Sequence, residues 1–214
     1  MVKRSTLIVV GLFALLLGLL AGVFISQMLP PRLQSTLAES VNVTDSAASD
    51  DALDLLRTAL DTARAFRDGD YAALAYYVHP EEGVTFTPNT TVDRSVDQTF
   101  TARQIANAPG SSETYIWGTA TDSAVPISLT LADYLSAYVW DENYLAQARI
   151  SVDSTQVTGN ALENLTDAYP GCRYVEFYCP GEAPQTDWSA LRLVYQQQDG
   201  VWYLVGVVHS AWGA

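Results

Sequence analysis

The chain has 214 residues, 49% of them apolar, with 24 acidic against 11 basic groups and a net charge of −13. Setting aside Lys3, Arg4 and Arg32 leaves 8 basic and 24 acidic residues, a net of −16 from Leu33 onward. A surface of that sign repels phosphate backbones and anionic headgroups, which argues against a nucleic-acid partner.

Lys3 and Arg4 stand before an apolar stretch over residues 7–29, interrupted by Ser26 and Gln27 near its far end. About 20 apolar residues cross a hydrocarbon core, whereas a secretory h-region is shorter and ends in a small-x-small site. No such site follows and no cysteine is near for lipidation, so residues 1–29 are expected to be a cytoplasmic N-terminus with an uncleaved transmembrane signal anchor. The preceding cations keep the N-terminus in the cytoplasm and place the rest outside it. The expected location is therefore the cell membrane, single-pass, with the membrane as partner through this helix.

Residues 30–48 open with Pro-Pro and are rich in Ser, Thr and Ala, the composition of a juxtamembrane linker. Residues 49–214 have the length of one domain. Ser49 is placed to cap a helix, with Asp50, Asp51 and Asp54 in its first turn and Leu53, Leu56, Leu60 and Ala63 at helical spacing. Gly69 closes that helix. Asp70 caps a second, "YAALAYYVH", which Pro80 stops. "GVTFTP" reads as a short strand. "FTARQI" carries a capping box, Thr101 with Gln104, and "LTLADY" repeats the device from Thr130, its helix running to about Trp140. Between them "ETYIWGTA" reads as extended.

After Trp140 the period changes to two. "AQARISV" and "RYVEFY" alternate, the latter setting Val175 and Phe177 against Tyr174, Glu176 and Tyr178. Two further strand-like runs flank Asp199-Gly200, a strong hairpin signal. In the last, simple alternation puts Trp202, Leu204, Gly206 and Val208 on one face and Tyr203, Val205, Val207 and His209 on the other. Helices followed by antiparallel strands define an α+β domain. Cys172 and Cys179 lie in or beside one strand-like run, so they bridge only if the chain folds back between them, and the continuous run argues against it.

"RDGDYAALAYYVHP" followed by short elements and a closing "DGVWYLVGVV" hairpin resembles the NTF2-like (cystatin-like) superfamily. A closer likeness is to bacterial secreted or membrane-tethered proteins with "VHP-x-x-GV-x-F" and "DW-x-x-LRLV…DG-x-WYLVG-x-x-H", here Tyr77 to Phe86 and Asp187 to His209. The likeness covers roughly residues 50–214. It implies a cone of N-terminal helices packed on a curved antiparallel sheet around an interior pocket. It carries a fold and no activity, since the superfamily holds pocket enzymes and membrane-tethered assembly domains alike.

Four residues are the candidates for a pocket: His79, His209, Trp117 and Arg192. His209 near a strand end can act as a general base, though a half-buried histidine bonded to backbone is the leading reading. His79 ends a helix, where the dipole alone favours it. Trp117 serves a core as well as a pocket, and Arg192 serves a cross-strand pair as well as an anion clamp. Ser210 follows His209 directly and therefore points to the opposite face. No elbow serine, P-loop, dinucleotide fingerprint or zinc motif is present, so no catalytic residue, metal or cofactor is assigned. The expected role is a non-catalytic ligand-binding or assembly module, with a protein partner or second copy meeting the sheet. The alternative is a small pocket enzyme pairing a histidine with a carboxylate.

Overall fold

A computed structural model describes residues 46–119, 125–157, 161–181 and 187–212. The proposed anchor, residues 7–29, lies outside the described residues, and so does most of the linker. Among the described residues no helix is long and apolar enough to cross a membrane.

Helix α1 (Ser46–Asp68) buries Leu55, Ala59, Thr62, Ala63 and Phe66, a stripe at helical spacing. The stripe is rotated from the expected one. Leu53 is exposed, while Leu56 and Leu60 sit at its margin. Two alanines, Ala59 and Ala63, form its centre. Gly69 ends α1 at φ +61°, a conformation glycine adopts without cost. Asp70 then caps α2 (Tyr71–Tyr77) by accepting from the Ala73 amide at 2.9 Å.

Strand β1 (Val84–Thr87) is buried along its whole length, and β2 (Gln98–Phe100) pairs with it. The capping box of α3 (Ala102–Asn107) forms as expected: Thr101 Oγ1 accepts from the Gln104 amide and Gln104 Oε1 accepts from the Thr101 amide. Strands β3 (Thr114–Thr119) and β4 (Pro126–Thr130) make a separate two-stranded sheet. Helix α4 (Leu131–Tyr134), capped by Thr130, widens into a π-turn over Leu135–Val139. A short α5 (Tyr144–Gln147) takes the start of the segment expected to be strand and leaves β5 (Arg149–Val152). After α6 (Leu165–Ala168) come β6 (Arg173–Cys179), β7 (Ser189–Gln198) and β8 (Val201–Ala211). Asp199 and Gly200 join the last two with φ of 52° and 79°, the two left-handed residues of a type I′ turn.

The main sheet has the order β2-β1-β8-β7-β6-β5. It is mixed and not wholly antiparallel, because β1 runs parallel to β8. The helices cover one face, where Val175, Phe177, Leu191, Leu193, Tyr195, Leu204 and Val207 join the main core. The opposite face carries a second, smaller core of Tyr174, Val194, Val205 and Val208 under Val92, Leu165 and Tyr169.

A β-bulge in β8 overturns the simple alternation. Val194 pairs with Gly206, but Tyr195 pairs with Leu204, so Val205 is an extra residue. Parity resets there. Trp202 and Leu204 before the bulge and Val207 after it all join the main core, whereas Val205 and Val208 join the other. His209, two residues past Val207, therefore shares the helix-covered face with Leu204. Gly206 admits Tyr169 on the second face: an added Cβ would lie 2.6 Å from that ring's Cζ and hydroxyl.

Candidate functional site

Among the candidates only His209 enters a polar cluster on the helix-covered face. It lies near the end of β8, opposite Leu191, with Ser189 at the start of β7 diagonal to it. The π-turn delivers the third member. Its wide closure, Trp140 amide to Leu135 carbonyl at 3.1 Å, ends the helix and directs the following turn across the sheet end. Asp141 and Tyr144 then meet His209 and Ser189.

His209 Nε2 lies 3.0 Å from Asp141 Oδ2 and 3.2 Å from Ser189 Oγ. Ser189 Oγ lies 3.2 Å from the same carboxylate oxygen. Tyr144 donates to Asp141 Oδ1 at 2.6 Å and lies 2.7 Å from Ser189 Oγ. Tyr144, Ser189 and His209 are buried, while the Asp141 side chain keeps 28% of its surface in solvent. Burial pushes the Asp141 carboxyl up, but hydrogen bonds from His209, Tyr144 and Ser189 and the charge of His209 outweigh it and hold the group below its ordinary range. Burial, then the Asp141 charge, raises the Tyr144 phenol. Cys179 pairs with Ser189 across the strands, and burial with the charges of Glu142 and Asp141 lifts its thiol to about 11. It is therefore a core thiol and no nucleophile at neutral pH.

The chemistry open to this cluster is specific. One imidazole nitrogen faces both the carboxylate and the hydroxyl, so the ring does not bridge Asp141 to Ser189 as in a nucleophilic triad. A proton can instead be held between Nε2 and Oδ2, next to solvent at Asp141.

The other candidates lie elsewhere. His79 Nδ1 accepts from the amides of Glu81 and Glu82 at 3.2 and 3.0 Å, which leaves the proton on Nε2, buried without a partner among the described residues. Its backbone amide donates to Leu204. That point is five residues from His209 along β8, about 16 Å at the rise of a strand, so the two histidines do not share a site. Trp117 is a core residue, stacked on Tyr134 at 3.6 Å with its Nε1 donating to Leu129. Arg192 is fully buried on the opposite face. Its Nε donates to Glu176 Oε2 at 2.7 Å, Nη1 to Ser210 Oγ at 3.1 Å and Nη2 to Val157 O at 2.8 Å. Glu163 Oε2 adds a charge 2.9 Å from Nη1. Ser210 thus faces away from His209, as alternation at that end requires. The two cysteines are free and serve opposite faces.

A cleft of about 280 Å³ opens beside the helices, lined by Phe66, Tyr71, Leu74, Leu135 and Trp140, with Ser136 and the Arg67–Asp68 pair at its rim. Trp140 ties it in sequence to Asp141. Asp141, Tyr144 and Ser189 were not singled out in the sequence. Asp141 lies 68 residues from His209 and Ser189 lies 20, with no spacing motif to join them. The available signal was the polar run Asp141-Glu142-Asn143 directly after an apolar helix.

No family model and no curated protein matches the chain. Ten chains of solved structures match it, two of which follow. A protein from Xanthomonas campestris described as a calcium/calmodulin dependent protein kinase II association domain is 13% identical, with 73% of this chain and 84% of that chain covered at a TM-score of 0.30. An NTF-2 like protein of unknown function from Shewanella oneidensis MR-1 is 11% identical, with coverage of 76% and 98% and a TM-score of 0.31. At these scores the overlap adds nothing to the α+β architecture read from the strand order.

Proposed function

We propose that the chain is a membrane-tethered, extracytoplasmic NTF2-like module that binds a small, largely apolar ligand. The cleft between α1, α2 and the π-turn carries this reading: aromatic and leucine walls with a few polar groups at the mouth are the composition of a small-molecule site. The apolar run over residues 7–29 behind Lys3 and Arg4 supports the tether. The helical layer on one sheet face and the closing Asp199-Gly200 hairpin support the NTF2-like assignment.

The test is stoichiometric binding of a neutral fluorescent apolar probe to the full chain. Ser136 is exposed at the cleft wall, so Ser136→Trp fills the space without touching the core. Saturable binding that Ser136→Trp abolishes supports the reading; equal binding by both proteins refutes it.

The 3.0 Å contact between His209 and Asp141 favours a second reading, an acid–base enzyme acting on the ligand of that cleft. Ligand recovered from the native protein is then converted by the wild type and left unchanged by His209→Gln. Equal turnover by both would remove His209 from the chemistry.

A further inference from the structure

Another cleft, of about 550 Å³, is lined from both faces of the sheet, by Trp202 of the main core and by Tyr169, Cys172 and Val205 of the second. Two of its walls are guanidinium groups laid over aromatic rings. Arg94 sits 5.1 Å above the Tyr169 ring and Arg173 sits 5.8 Å above the Trp202 ring. Their states differ. Arg173 is held by Asp153 at 2.7 Å and by Asp51 at 2.8 Å, and Asp51 also accepts from Gln197 at 3.0 Å. That guanidinium is a fixed, neutralised wall. Arg94 has a single carboxylate neighbour among the described residues, Glu82, at 4.0 Å, beyond hydrogen-bond range. Its fork of donors is held over Tyr169 and makes no hydrogen bond to the described residues. Arg57, Arg64 and Arg67 are each bonded to a neighbouring aspartate, and Arg192 to Glu176.

A second, independent feature marks the cleft. Trp202 lines it, and its indole N–H is buried with no acceptor among the described residues. The accessible unanswered donor is the Arg94 guanidinium, and it calls for an acceptor that carries charge. The carboxylates around it limit that charge. Glu82, Asp51 and Asp153 repel the second charge of a dianion, so the site suits a single negative charge on an acceptor with two oxygens.

We propose that this outer cleft binds an organic monocarboxylate, the carboxylate paired with Arg94 in place of Glu82 and the body lying against the Trp202 wall. The site is separate from the apolar cleft beside the helices, and its test does not depend on that one.

Benzoate is titrated into the full chain at constant ionic strength, with chloride and inorganic phosphate as comparators. The ¹⁵N–¹H resonance of the Trp202 indole, assigned by Trp202→Phe, reports binding. The expected result is a saturable shift with benzoate at a Kd of about 1 mM or tighter, weakened at least about tenfold by Arg94→Gln. Arg103→Gln, which lines a different surface hollow, leaves it unchanged. Alkylation of Cys172, which lines the same cleft, slows in parallel. A resonance unmoved by benzoate, a shift that Arg94→Gln leaves intact, or saturation by phosphate and not by benzoate each overturns the proposal.

Discussion

Replacing His209 by Ala asks whether the four polar side chains at the sheet end act as one unit. The change removes the contacts of Nε2 to Asp141 Oδ2 at 3.0 Å and to Ser189 Oγ at 3.2 Å. A hydrogen bond to a carboxylate contributes about 1.5–3 kcal/mol and a neutral one about 0.5–1.5. Asp141 is not orphaned, because Tyr144 still donates to Oδ1 and Ser189 still reaches Oδ2. The expected loss is therefore about 2–4 kcal/mol, read as the shift in urea midpoint at unchanged slope. In a double-mutant cycle with Asp141→Ala, the coupling should be about 1.5–3 kcal/mol. The pH dependence sharpens the test. A carboxyl held below its ordinary value contributes stability that is fully present above the unfolded pKa, near 3.9, and is lost as pH falls through the lowered folded value. Burial is the largest influence on Asp141 and acts upward, so without His209 the folded value rises toward or past the unfolded one, and the stability that Asp141 loses in acid shrinks or reverses, leaving a shallower acid limb than in the wild type. Coupling below about 0.5 kcal/mol, or acid limbs that coincide, would refute a linked cluster.

Three further outcomes are expected. Gly206→Ala drives a methyl against Tyr169 and should cost about 1–3 kcal/mol in urea unfolding, a loss that Tyr169→Ala in the same chain partly relieves. Arg192→Ala leaves Glu176 buried with its guanidinium partner gone and should cost about 3–5 kcal/mol, whereas Arg173→Ala, at a half-exposed ion pair, costs far less. Thr101→Ala removes the acceptor for the Gln104 amide and should lower stability by about 1 kcal/mol, with faster amide exchange confined to α3.

Local signals in the chain are short-range chemistry, and they were legible. Asp70, Thr101 and Thr130 cap helices because a side-chain oxygen reaches amides three residues on, within one turn. Gly69 stops α1 and Asp199-Gly200 turns the hairpin because both need left-handed backbone. The alternation of "RYVEFY" already set Val175 and Phe177 on one face, and that face joins the main core, since nothing interrupts the period of β6. The buried stripe of α1 was less legible. Leu53 and Leu55 are equally apolar, and only the sheet beneath decides which of them is covered.

The sequence by itself determined the end of α1, the caps of α2, α3 and α4, the hairpin, the α+β class and the sign of the surface, because each depends on residues within a few positions of one another. Tertiary structure alone decided the face of His209 and its company. One extra residue, Val205, shifts the parity of β8, and no local rule says where a strand will bulge against its partner. Asp141, Tyr144, Ser189 and His209 come from three separate stretches of chain, joined only when the π-turn lays its end across the sheet. The pairing of Arg94 with Tyr169 and of Arg173 with Trp202 is of the same kind. Contact between distant segments is set by how the elements pack, and packing is a property of the whole fold.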